Sequence, residues 1–430
     1  MVEGTFLLAA VILFLVLLKK PHFGLWLIAF SLPFRFSFAP VQIGISQGLK
    51  ITEIIVLLTA IAVFIRKPSF NIKLPGRGFT VLFLLFLFFG LLSITGSENF
   101  DYCLTEILEY AFIVLMMLTI FNIIINPHEC KYLINGLMVG GVVSLCIGIG
   151  AYIIAVLTST KNIFVIPLAV NVTSTFRYRL LAFLNDPNFF ADYCLCIMII
   201  ALTIFLWERK FNFLLFSFLS LVGLFLSFSR SAWIIAVIGL ILVLRYYLSK
   251  KSFTKVLFLL TVILLILLLL PFLRNMGLLT ETKTRLLTVT EEENPRLYIW
   301  KAALNAFFSH PLLGIGIGSF KSVAYQYSSE MIIYQETHNV FLDILAGTGL
   351  LGFIFWLLSI FYILIAGIRN IKIYKQSSYE YILSIATLAS FVVMLLHGFT
   401  LNISTVRHFW LIAIIILILN EFNLKKEKTD

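Results

Sequence analysis

Apolar runs long enough to cross a bilayer recur along this 430-residue chain, and they limit its fold more than any other feature. A crossing helix needs about 20 mostly apolar residues. Such runs lie near 4–18, 22–38, 51–65, 79–95, 102–125, 131–157, 188–207, 211–228, 231–248, 253–271, 338–369, 379–397 and 405–422. Only Lys19-Lys20-Pro21 separates the first two, and Pro33 interrupts the second. That pair reads either as a hairpin or as a partly re-entrant element, so 12–13 spans are expected. Each must be helical, because lipid offers nothing to the polar groups of an open strand edge. The expected fold class is therefore all-α, a polytopic membrane helix bundle.

Composition agrees. Hydrophobic residues make up 61% and charged residues only 12%. Soluble domains carry about a quarter charged residues, which excludes a soluble enzyme. A disordered chain is excluded too, since it needs low hydrophobicity and high charge. The net charge of +11 would suggest a nucleic-acid partner in a soluble protein. Here it is mostly topology: basic residues mark cytoplasmic helix ends. Lys19, Lys20, Arg66, Lys67, Lys73, Arg77, Lys131, Arg209, Lys210, Lys250, Lys251, Arg369, Lys372, Lys375, Lys425, Lys426 and Lys428 alternate correctly with the runs. The C-terminus is then inside, and the N-terminus is outside with 13 spans or inside with 12. Met1-Val2-Glu3 lacks a basic n-region, so no cleavable signal is expected. Five cysteines without framework spacing argue against a disulfide scaffold; Cys194 and Cys196 lack companions that would complete a metal site.

The chain divides into N-terminal membrane helices (1–157), a membrane core (158–271), an extracytoplasmic loop (272–337) and C-terminal membrane helices (338–430). The loop exceeds the length of a simple connection, and such loops usually carry function or their own structure. Residues 296–309 space apolar side chains three and four apart, the pattern of an amphipathic helix, expected to lie on the outer membrane surface.

Topology leaves some external charges unexplained: Arg35, Lys50, Lys161, Arg177, Arg179, Arg230, Arg274, Lys283, Arg285, Arg296, Lys301, Lys321 and Arg407. Arg230 sits in Ser229-Arg230-Ser231, where one run turns straight into the next. Arg177 and Arg179 precede the run that opens at Pro187-Asn188. Cations at membrane depth are costly and tend to mark substrate paths. A helix N-terminus favours an anion, and the arginine fork suits phosphate. Snorkelling to lipid headgroups is the competing reading. His338 opens the 338–369 run, where the positive helix end disfavours imidazolium; a neutral imidazole accepts a proton at pH 7. An interfacial histidine without a role is the alternative. Asp343, five residues on, faces elsewhere on the helix.

Other patterns carry less. Gly314-Ile315-Gly316-Ile317-Gly318 lacks the strand and Lys-Ser/Thr of a nucleotide loop and reads as close packing. Glu291-Glu292-Glu293 reads as a solvated acidic run. Asn171-Val172-Thr173 and Asn402-Ile403-Ser404 fit a sequon with a high false-positive rate. No nucleic-acid module is present.

Four ordered segments nonetheless resemble the O-antigen ligase/polymerase superfamily of bacterial membrane glycosyltransferases. They are Arg179 through Pro187-Asn188; Ser229-Arg230-Ser231; Arg296-Leu297-Tyr298-Ile299-Trp300-Lys301 leading to His310-Pro311 and the glycine segment; and His338-Asn339 with Gly347-x-Gly349-Leu350-Leu351-Gly352. They span about 175–355, while the first half matches only as a hydrophobic bundle. The resemblance implies a GT-C fold and a metal-independent enzyme without cofactor. It implies a donor glycan on undecaprenyl pyrophosphate and an acceptor hydroxyl on glycan, lipid or protein, as in lipopolysaccharide biosynthesis. It also implies a site on the outer side of a bacterial plasma (inner) membrane, among membrane lipids. His338 would be the general base or leaving-group contact. Arg230 and Arg179 would bind pyrophosphate, with Arg177, Arg296 and Asn339 as further substrate contacts. A flippase or transporter of a lipid-linked anion is the competing class; it calls for polar residues near the midplane and paired broken helices.

Overall fold

The computed structural model describes residues 2–35, 37–38, 49–66, 72–158, 160, 162–167, 178–248, 252, 295–328, 336–376 and 378–426. Arg177, the run at 253–271 and the Glu291–Glu293 stretch lie outside these. Fourteen α-helices run through the described residues: α1 Val2–Lys19, α2 Pro21–Ser31, α3 Ile51–Arg66, α4 Arg77–Ser93, α5 Phe100–Ile123, α6 Cys130–Thr158, α7 Pro187–Glu208, α8 Phe211–Leu226, α9 Arg230–Tyr247, α10 Pro295–Ser309, α11 Phe320–Val323, α12 Val340–Ile373, α13 Tyr379–His397 and α14 Arg407–Lys426. Two small antiparallel ladders pair β1 (Ser37–Phe38) with β2 (Leu49–Lys50) and β3 (Val165–Pro167) with β4 (Tyr178–Leu180).

Eight of the described helices are long and apolar enough to cross a membrane: α4, α5, α6, α7, α9, α12, α13 and α14. The chain is thus an all-α polytopic membrane protein. The run at 22–38 is not one continuous helix. Helix α2 covers 11 residues, about 17 Å at 1.5 Å per residue, and stops ahead of Pro33, which has no N–H to extend it. It lies tightly on α6, where Gly136 and Gly140 meet the carbonyls of Trp26 and Phe30 so closely that no Cβ fits. This small-xxx-small contact lets two backbones touch in a setting without water.

Helices α7, α13 and α14 form the centre, buried along most of their length. The outer helices leave Leu84, Phe88, Leu91, Ile154, Leu157, Phe218, Phe361 and Ile365 exposed, an apolar surface suited to lipid tails rather than water.

Helix α12 is broken near its start. Gly349 takes φ +62°, ψ −168° inside it, and the segment 311–316 is threaded into the gap. Leu350 N–H donates to Pro311 O (2.8 Å) and Leu351 N–H to Leu312 O (3.3 Å). The carbonyls they would have bonded in a continuous helix are not orphaned. Ala346 O accepts from Ile315 N–H and Gly347 O from Gly316 N–H, both at 3.0 Å. These four polar groups at the kink are thus satisfied, as buried backbone requires. The glycine-rich segment is therefore a packing device and not a nucleotide loop. Gly314 and Gly349 face each other with left-handed φ values and no room for a Cβ.

Helix α10 matches the amphipathic pattern at 296–309 and differs in what its apolar face touches. Ile299, Ala302, Ala303 and Ala306 pack on Ile315, Phe320, Val323, Ala324 and Ala346. That face is spent on protein, while Leu297, Leu304 and Phe308 on other sides stay exposed.

Candidate functional site

The candidate residues converge at one end of the bundle, on four segments that close sequence neighbours hold in place. The first is the approach to α7. Asp186 caps that helix, its Oδ1 accepting from Asn188 N–H (2.6 Å) and Phe189 N–H (3.3 Å). Asn188, in the first turn, accepts from Arg179 Nη2 (3.1 Å). Arg179 Nε donates to Ser227 O (2.8 Å). Arg179 thus ties β4 and α7 to the turn between α8 and α9.

That turn is the second segment. Phe228 sits at φ +53°, in the left-handed region that a bulky side chain rarely adopts. Ser229 is the N-cap residue of α9, yet its side chain makes no cap bond. Its Oγ is buried without a partner among the described residues. Arg230, the first helical residue, is exposed and makes no hydrogen bond or ion pair with the described residues.

The third segment is α10. Arg296 and Trp300 stand one turn apart, hence on one face. Trp300 Nε1 donates to Thr337 O (3.0 Å). This holds the fourth segment, which carries His338. That residue does not open the helix as the sequence suggested. It precedes the cap, Asn339, whose Oδ1 accepts from Phe341 N–H (3.0 Å) and Leu342 N–H (3.2 Å). Thr337 Oγ1 bonds Asp343 Oδ1 (3.1 Å), and Val340 N–H donates to Gly398 O (2.8 Å). So fixed, His338 adopts φ +47°, and its Nδ1 is buried with no partner among the described residues. Strain of this kind costs about 1–3 kcal/mol and gathers at functional sites.

Among the described residues five non-glycine positions have positive φ. Arg209 closes α7 at its far end as a left-handed helix cap. The other four, Ala182, Asn185, Phe228 and His338, lie in the segments that lead into α7, α9 and α12.

Electrostatics join the segments. Burial lowers the Arg179 and Arg296 pKa values below the ordinary arginine range; Arg296 and Arg230 press on Arg179, Arg230 presses on Arg296, and Asp186 offsets both. Burial also lowers His338 below its usual 6.5, aided by Arg296 and Lys321 against Glu336 and Asp186. A neutral imidazole beside a guanidinium follows, from enclosure rather than from the helix dipole. Asp186 is a common neighbour of Arg179, Arg296 and His338, so all three share one space.

The structure gives the sequence candidates unequal tasks. His338 and Arg230 have polar atoms to spare. Arg179 and Asn339 are engaged in holding turns. Arg177 lies outside the described residues. Sequence reading passed over Asp192, buried in α7 between His397 Nδ1 and His408 Nε2 at 2.9 Å each. A lone acid inside an apolar run is a signal for a hidden partner, but only the fold brings α13 and α14 to it. Among the described residues no group of three or more His, Cys, Asp or Glu is arranged to hold a metal ion.

The family described as O-antigen ligase matches residues 215–357, roughly a third of the chain. The match takes in Arg230, Arg296, His338 and Asn339, and both partners of the glycine contact at Gly314 and Gly349. No curated protein matches the chain.

Proposed function

We propose that the chain, which matches the O-antigen ligase family over residues 215–357, transfers a glycan from undecaprenyl pyrophosphate to an acceptor hydroxyl on the outer side of the plasma membrane. The observation that carries this reading is His338. An imidazole with an idle, buried Nδ1 on a strained, four-way anchored backbone is a group kept ready for a ligand. The neighbouring cations supply what a departing diphosphate needs.

Three tasks make up the reaction. Arg230 and Arg296 stabilise negative charge as it grows on the leaving diphosphate. His338, neutral at pH 7, takes the proton of the acceptor hydroxyl or orients it. Arg179 and Asn339 hold the turns that present these groups; preorganised donors need no rearrangement during the reaction. No metal enters this scheme. Water is the competing acceptor, and the 272–337 loop, through α10 and its Trp300 bond, would help exclude it.

The test is glycan profiling in cells carrying His338→Ala or Arg230→Ala. Both variants should accumulate in the membrane and lose polymer or ligated glycan. Near-normal glycan in both would overturn the reading. Lost chain length in a deletion strain would mark a polymerase, and lost attachment a ligase.

A further inference from the structure

Arg35 follows α2 and lies outside the stretch shared with the family. Its backbone is pinned: its N–H donates to Phe183 O (3.3 Å), and the Phe34 ring meets the Phe183 ring at 5.1 Å. Its guanidinium lies over the Phe189 ring, 5.2 Å from the centroid. Phe189 adjoins Asn188, which holds Arg179. Two consecutive residues of the first turn of α7 thus each hold an arginine.

Beside Arg35 lies an ion cluster. Lys50 pairs with Glu109, and more distantly with Glu53 (3.9 Å). Arg407 pairs with Glu53 and with Glu109 (2.8 Å). Both carboxylates are taken. Arg35 is close enough to feel Arg407, Glu109, Glu336 and Asp186, yet it forms no ion pair with any described residue. Glu336 is paired with Lys321 (3.1 Å), and Asp186 Oδ1 is spent capping α7. Lys50 and Arg407 thus take up Glu53 and Glu109 at contact distance, and Arg35 has only the longer-range attraction of Glu109, Glu336 and Asp186.

Headgroup snorkelling does not account for this placement. A snorkelling arginine points out from a lipid-facing helix. The groups around Arg35 come from α5, α7, α14 and the loop carrying His338, so it stands inside the ring of helices. Burial and the nearby Arg407 oppose its charge, and two of its neighbours, Asp186 and Glu336, are also neighbours of His338.

We propose that Arg35 is a substrate-binding residue of the site, bonding a phosphoryl oxygen of the lipid-linked diphosphate beside the first turn of α7, which also holds Arg179. This rests on the donor reading given above. The stacking ring fixes the plane of the fork and leaves its N–H edges free for an oxyanion.

The test measures binding of undecaprenyl pyrophosphate to the full-length protein in phosphatidylcholine nanodiscs, for wild type, Arg35→Ala, Arg35→Lys and Arg230→Ala. Arg35→Ala should weaken binding about tenfold to a hundredfold, the effect of losing a charge-assisted hydrogen bond. Arg35→Lys should recover part of it with a point charge, and this conservative variant also reports on folding. Arg35→Ala binding within about twofold of wild type, with Arg230→Ala weakened, would overturn this proposal and leave the donor reading standing. Wild type that does not bind the diphosphate would overturn both. Phosphatidylglycerol retained by wild type and lost from Arg35→Ala, with diphosphate affinity unchanged, would assign Arg35 to a headgroup and overturn the proposal.

Discussion

Leu350 N–H donates to Pro311 O at 2.8 Å, a bond that a continuous helix would have given to Ala346. Around it two bonds of the α12 ladder are replaced by four bonds to the 311–316 segment, and the half-helix that begins at Asn339 is fixed to the loop. The angle at which His338 is presented depends on this exchange. Gly349→Ala should disrupt it, because the residue sits at φ +62° and a Cβ would meet the Leu312 carbonyl. The strain alone amounts to about 1–3 kcal/mol, and the clash adds to it. A thermal melt of the purified variant should show the loss; a melt like wild type would mean that the kink is dispensable.

His338 offers a way to separate strain from chemistry. His338→Gly removes the side chain at a left-handed position that glycine adopts freely. The variant should melt no lower than wild type while transfer falls about 10²- to 10⁴-fold, the range for loss of a general base. A transfer assay on membranes beside the melt checks both halves.

Arg179 and Arg230 should differ in kind. Arg179→Ala removes two bonds that tie β4 to Ser227 and Asn188. It should cost stability, about 1–3 kcal/mol if the acceptors are left unmet. Exposed and without a partner among the described residues, Arg230 can be replaced by alanine without change in stability and with loss of diphosphate binding. Equal melting temperatures for the two variants would contradict this division.

The pH profile follows from His338. Its folded pKa lies below the ordinary 6.5, so the neutral form should persist as pH falls below 6.5, and transfer should decline only at lower pH. The same shift makes the unfolded chain the better proton binder. The stability His338 contributes is therefore present above 6.5 and lost as pH falls through the folded pKa. Arg296→Gln removes one of the charges that lower it and should move the acid limb of the rate profile upward. An unmoved limb would mean that a different group sets it.

Asp192 is fully buried and accepts from two histidines on different helices. Asp192→Ala leaves two buried ring nitrogens without partners, each at about 1–3 kcal/mol, and His397 adjoins Gly398, which anchors Val340. The variant should melt lower and also lose transfer, whereas Asp192→Asn keeps one acceptor and should lose less. Proteolysis of membrane fractions and a transfer assay would separate the two.

The class of the molecule was legible in the sequence, because lipid imposes its terms locally. A run of apolar residues either spans or does not, and basic ends alternate or do not. Arg230 stood out for the same reason, as a charge at membrane depth, and His338 by its place at a helix start, whereas Arg296 became a site candidate only through the family resemblance. The resemblance then joined them, and the O-antigen ligase match covers all three. What the segments could not reveal was which polar atoms are already used. Asn339 and Arg179 look like ligand contacts in isolation, and only packing shows Asn339 bonded to the backbone of its own helix and Arg179 to Ser227 and Asn188. Arg35 read as one of thirteen stray external charges until the fold gave Glu53 and Glu109 to Lys50 and Arg407. Vacancy is a property of neighbours, and neighbours far apart in the chain are decided by tertiary structure alone.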